Sequence, residues 1–163
     1  MLMLLGAVPM LTACYTTGDA LRLTIDDPAT VVIDSVCSGC ATTHTATLAY
    51  ADGASGPSDA AFVFAQYRVD YALDDGSTVD FYADTLDGSV AEGEYVDFNF
   101  TVSGRTQRAY VFETYGSEEV YGTATLTVEG YDWNDEVWSP EPATFDFVFR
   151  NIADGEATVD TGL

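Results

Sequence analysis

The amino-acid sequence predicts an all-β fold: a two-sheet antiparallel β-sandwich of seven to nine short strands. Three observations lead there. Apolar and polar residues alternate with a period of two through most of residues 20 to 151. Clusters of Gly, Asp, Asn, Ser and Pro interrupt that alternation at short intervals. No internal repeat, heptad pattern or long helical period competes with it. Strands with one apolar face each must bury those faces against one another, and two facing sheets are the usual solution.

The strands read in order as follows. "ALRLTID" puts Leu21, Leu23 and Ile25 on one face, and "TVVIDSV" is a short β-branched run. "THTATLAY" sets His44, Ala46, Leu48 and Tyr50 against Thr43, Thr45, Thr47 and Ala49. "AFVFAQYRVDYAL" aligns Val63, Ala65, Tyr67, Val69, Tyr71 and Leu73, with Arg68 and Asp70 pointing away. The turn at Asp74 to Gly76 leads into "STVDFYADTL". "EYVDFNFTV" sets Val96, Phe98, Phe100 and Val102 inward. "RAYVFETY" reads as another strand, of unclear phase. "GTATLTVEGYD" turns Ala124, Leu126 and Val128 to one side, and "ATFDFVFRN" does the same with Phe145, Phe147 and Phe149. The expected connections are "DGASGPSD", "LDDGS", "LDGSVAEGE", "SGRTQ", "YGSEE" and "DWNDE".

This spacing resembles the immunoglobulin-like and fibronectin type III-like modules of bacterial surface proteins over residues 20 to 153. The resemblance is architectural; the Cys…Trp…Cys core of antibody domains is absent. A second resemblance lies at the N-terminus. Residues 2 to 11 are almost wholly apolar, too short a run to span a bilayer but suited to the core of a secretory signal. Leu11-Thr12-Ala13-Cys14 follows, and it resembles the lipobox of bacterial lipoprotein precursors. The run departs from a usual signal in having no basic residue before Arg22. The resemblance implies a signal peptide over residues 1 to 13, lipidation of Cys14, a tether over residues 14 to 19 and a cell-envelope address. That address is the outer membrane in a Gram-negative cell. The competing reading of the apolar run is an ordinary buried segment. The domain itself is expected over residues 20 to 155, with a polar tail over residues 156 to 163.

Eighteen Asp and nine Glu face five Arg and no Lys, for a net charge of −22. Such a surface repels phosphate backbones, so nucleic acid is excluded as a partner. The same composition resembles that of proteins from salty habitats, and it equally suits a self-repelling soluble surface.

With Cys14 lipidated, Cys37 and Cys40 remain as an even pair in an oxidising compartment, which favours a disulfide. A thioredoxin-like centre would need a helix after the pair, whereas "ATTHTATLAY" is β-rich. Haem attachment would need His where Ala41 stands. Zinc could draw on Cys37, Cys40, His44 and Asp34, but no second Cys or His pair completes the set. His44 is expected at the rim of the core, facing inward, with a polar partner.

Two acidic stretches could supply calcium ligands: Asp84, Asp87, Glu92 and Glu94 in one, and Asp132, Asn134, Asp135 and Glu136 in the other. Neither has EF-hand spacing, and solvated acidic loops are the plain alternative. Calcium is the one cofactor left open. Tyr131, Trp133 and Trp138 lie at or beside a presumed hairpin tip. There they could stack on a sugar or anchor a protein partner, or the indoles could cap the core. No nucleophile elbow, phosphate-cradling glycine loop or HExxH occurs. The sequence therefore leads to a non-catalytic, lipid-anchored envelope protein with a structural or adhesive role and an envelope protein or glycan as partner. The alternative is a carbohydrate- or calcium-binding module.

Overall fold

A computed structural model describes residues 20–26, 30–37, 40–51 and 61–152. The expected signal peptide over residues 1 to 13, Cys14, the expected tether over residues 14 to 19 and the expected tail over residues 156 to 163 lie outside these residues. Nine strands and one helix follow in order: β1 (Leu21–Ile25), β2 (Val31–Asp34), β3 (Thr43–Tyr50), β4 (Ala61–Leu73), β5 (Thr78–Ala91), β6 (Tyr95–Thr101), α1 (Arg105–Tyr115), β7 (Val120–Tyr131), β8 (Val137–Trp138) and β9 (Ala143–Arg150). They form a three-stranded sheet, β1-β3-β6, and a six-stranded sheet, β2-β9-β7-β4-β5, with β8 paired to β7. The chain is thus mostly β, in two sheets, as the alternation predicts.

The inner faces share one core. Phe100 of β6 meets Phe145 of β9 edge-on at 6.0 Å and Tyr67 of β4 at 6.1 Å, while Phe98 lies 6.1 Å from Phe64. Two tyrosines of β4 also bond across to the end of β6. The Tyr67 hydroxyl accepts from the Thr101 N–H at 2.9 Å, and the Tyr71 hydroxyl donates to the Val102 carbonyl. Burial raises the pKa of Tyr71, so its phenol stays a donor.

The strand phases hold in β1, β3, β6, β7 and β9: Leu21, Leu23, Ala46, Leu48, Phe98, Phe100, Ala124, Leu126, Val128, Phe145, Phe147 and Phe149 are all buried. Four expectations are corrected. In β4 a register shift between Phe64 and Gln66 inserts a residue relative to β7. A bulge of this kind moves the chain to its other face. Phe62 and Phe64 therefore point inward beside Tyr67, Val69, Tyr71 and Leu73, and Val63 is left 47% exposed.

Second, the sheets are not purely antiparallel. β2 runs parallel to β9, with Val31 opposite Phe147 and Ile33 opposite Phe149. Third, the expected turn "LDGSVAEGE" is mostly strand, because β5 pairs with β4 as far as Ala61↔Ala91. Only residues 92–94 turn.

Fourth, "RAYVFETY" is helical. The Gly104 N–H donates to Gln107 Oε1 at 3.1 Å, which serves one of the donors a helix start leaves open. Gln107 Nε2 in turn donates to the Phe81 carbonyl of β5 at 2.9 Å. Gln107 and Val111 thus dock α1 on the sheet. Gly116, at φ 66°, ends the helix and donates to the Phe112 carbonyl at 2.8 Å.

Candidate functional site

The β7–β8 hairpin carries the expected aromatic cluster. Its turn is built by Asp132, which is buried and whose Oδ1 accepts N–H groups from Asn134 and Glu136, each at 2.8 Å. The Asp132 N–H donates to the Glu136 carbonyl at 3.0 Å, and Asp135 takes a left-handed φ of 60°. Asp side chains suit such turns because they mimic a backbone acceptor. The Asp132 carboxylate is therefore engaged in organising the turn.

This turn separates the two indoles. Trp138 is half-buried and meets Tyr50 edge-on at 6.5 Å, so it caps the core. Trp133 is 50% exposed at the tip. Tyr131 pairs with Val63 on one side and Val137 on the other. Directly opposed residues share a sheet face, so Val63, Tyr131 and Val137 form one apolar row, with Val137 68% exposed. Gly130 lets β7 approach β4 here, since a Cβ on it would stand 2.2 Å from the Val63 carbonyl oxygen. Exposed Glu129, Asp135 and Glu136 edge the row. Neither Val63 nor Val137 was found from sequence: the first depends on the bulge in β4, the second on strand pairing.

The other acidic stretch does not converge. Asp84 and Asp87 lie on β5, while Glu92 and Glu94 belong to the turn after it. Glu92 stands eight positions after Asp84 along an extended strand, a span of about 26 Å, too long for one calcium ion with ligands at 2.3–2.6 Å. Asp84 instead accepts from the Tyr82 hydroxyl at 3.1 Å and from the Thr85 N–H at 2.8 Å. Burial, the neighbouring Tyr67 and the Asp84 carboxylate push the Tyr82 phenol up to about 12. Tyr50, near Glu92 and Asp132, is likewise raised, first by burial and then by those charges.

Cys37 and Cys40 form a disulfide, so neither offers a thiolate. Among the described residues, the one set of three His, Cys, Asp or Glu ligand atoms within 4.8 Å of each other is Asp34, Cys37 and Cys40, and the disulfide occupies two of them. His44 faces inward at the rim, where its ring lies 6.4 Å from Phe100; among the described residues its ring has no hydrogen bond to the polar partner expected for it.

Among solved structures, the chain is similar to an X-ray structure of a structural-genomics target. The TM-score is 0.47 at 11% identity, over 78% of this chain and 87% of that one. It is similar to a candidate late embryogenesis abundant (LEA) protein at TM-score 0.46 and 10% identity, over 79% of this chain and 70% of that one. A protein from Archaeoglobus fulgidus gives TM-score 0.42 at 11% identity, over 80% and 94%. No family model matches the chain, and no curated protein matches its sequence.

Proposed function

We propose that this chain is a non-catalytic, lipid-anchored protein of the cell envelope that works by protein contact. Its two sheets serve as an immunoglobulin-like sandwich that presents the β7–β8 tip. The observation that carries the reading is the row Val63–Tyr131–Val137 with Trp133 beside it, apolar side chains left 44–68% exposed. Large apolar groups gathered in the open mark interaction surfaces, and aromatic residues dominate the binding energy of such surfaces. The acidic edge and the net charge of −22 suit a partner whose contact face is apolar with a basic rim. The anchor rests on Leu11-Thr12-Ala13-Cys14 after the apolar run, and the outer membrane is its place where the envelope has two membranes. A second reading, carbohydrate binding, draws on the exposed ring of Trp133, which could stack on a sugar.

The test uses cells that display the chain. Trp133→Ala combined with Val137→Ser should abolish adhesion to partner cells while leaving the melting temperature unchanged, and Cys14→Ser should move the protein into the soluble fraction. Undiminished adhesion of the double variant would overturn the tip as contact surface, and membrane retention of Cys14→Ser would overturn the anchor. Saturable heat from a glycan panel, lost in Trp133→Ala, would transfer the function to the second reading.

A further inference from the structure

Four buried side-chain atoms have no hydrogen-bond partner among the described residues: Ser35 Oγ, Ser103 Oγ, and Nε and Nη1 of Arg108. Three of the four belong to residues lining one recess of about 190 Å³ between α1 and the end of β2. Arg108 and Ser35 are each only 6% exposed. Arg105, Arg108 and Phe112 line the same recess, and their spacing of three and four places them on one stripe of the helix.

A buried guanidinium without a partner is costly, and this chain has 27 carboxylates with which to avoid the cost. Yet the one ion pair among the described residues is Arg68 with Asp70, on the outer face of the large sheet. Two of the five arginines instead line the recess, with no carboxylate of the described residues within 4 Å.

The remaining walls narrow the ligand. Phe112 and Val36, 42% and 46% exposed, offer an apolar side open to solvent. Glu113 also lines the recess and opposes a second negative charge on the ligand. The volume compares with the ~150 Å³ cavity that holds one benzene ring. A guanidinium fork matches a carboxylate in two parallel hydrogen bonds.

We infer that this recess binds a small organic carboxylate with an apolar body, the carboxylate on Arg105 and Arg108 and the body against Phe112 and Val36. The site is separate from the hairpin tip and does not rest on it. Sodium benzoate, neutral benzamide and inorganic phosphate, each titrated into the full chain by NMR or calorimetry, test it. Benzoate should bind at least tenfold more tightly than benzamide or phosphate. Arg105→Gln, at an exposed position, should weaken benzoate at least tenfold with the fold intact. Arg108→Met should abolish benzoate binding and raise the melting temperature, because it removes an unpaired buried charge. Equal affinity for benzamide, preference for phosphate, absence of saturable benzoate binding at millimolar concentrations, or indifference to Arg105→Gln would each overturn the assignment. A lowered melting temperature in Arg108→Met would mean that the guanidinium already has its partner within the fold, and would overturn it too.

Discussion

Phe100→Ala tests whether the two sheets owe their union to aromatic packing. Phe100 is 1% exposed on β6, in the three-stranded sheet, and its ring meets Phe145 and Tyr67 of the six-stranded sheet edge-on. Removing the ring returns ~150 Å² of apolar burial, which at about 25 cal/mol per Å² is ~4 kcal/mol. The two edge-on pairs add ~0.5–1.5 kcal/mol each if their partners do not repack. Core Phe→Ala changes cost ~3–5 kcal/mol, so the expected loss is about 4 kcal/mol. In a domain of this size that lowers the melting temperature by roughly 8–16 °C.

Tyr95→Ala supplies the control. Tyr95 opens the same strand but is 72% exposed, and its loss should stay within ~0.5 kcal/mol. Urea denaturation followed by tyrosine and tryptophan fluorescence reads both variants. A cost below ~1 kcal/mol for Phe100→Ala, or a cost matching that of Tyr95→Ala, would refute the claim that β6 closes the core.

Three further outcomes are expected. Replacing Cys37 and Cys40 together by Ser opens a loop of sequence separation 3, for which chain entropy allows about 2 kcal/mol at most; a thermal-melt loss above ~4 kcal/mol would contradict a local staple. Gly130→Ala should cost ~1–3 kcal/mol by overpacking against Val63 and Phe62, with weaker amide protection at the tip by hydrogen exchange, and an unchanged melt would count against the close β4–β7 approach. Asp75 has a pKa below the ordinary 3.8, held down first by the Ser77 hydroxyl, then by the Ser77 N–H and the Tyr115 hydroxyl. Its contribution to stability is therefore present above the unfolded pKa and lost as pH falls through the folded one. An NMR titration should show Ser77→Ala moving Asp75 upward, and no movement would remove that hydroxyl as the main cause.

Much of the fold was legible because burial on one side writes a period of two into a strand. β1, β3, β6 and β7 follow that period, so their inner residues could be named from sequence; in β9 Phe145, Phe147 and Phe149 follow it, while Val148, expected to face outward, is buried as well. The disulfide was legible too, since two cysteines three positions apart in a β-rich stretch have few alternatives. At the candidate site, Tyr131 and Trp133 were found through composition. The role of Asp132 as turn builder was not, because it depends on where the chain carries the Asn134 and Glu136 N–H groups.

The alternation and the punctuating turns are properties of neighbouring residues, and from them the sequence by itself determined the β class and most inward faces. Only the tertiary structure decided the bulge that flips β4, the reach of β5, the parallel pairing of β2 and the folding of residues 105–115 as a helix. Each of these depends on what a distant segment offers: Ala91 to Ala61, Phe147 to Val31, the Phe81 carbonyl to Gln107. The same holds for the exposed row at the tip and for the two arginines beside Ser35. Local pattern sets which way a side chain leans, whereas long-range pairing sets what it leans against.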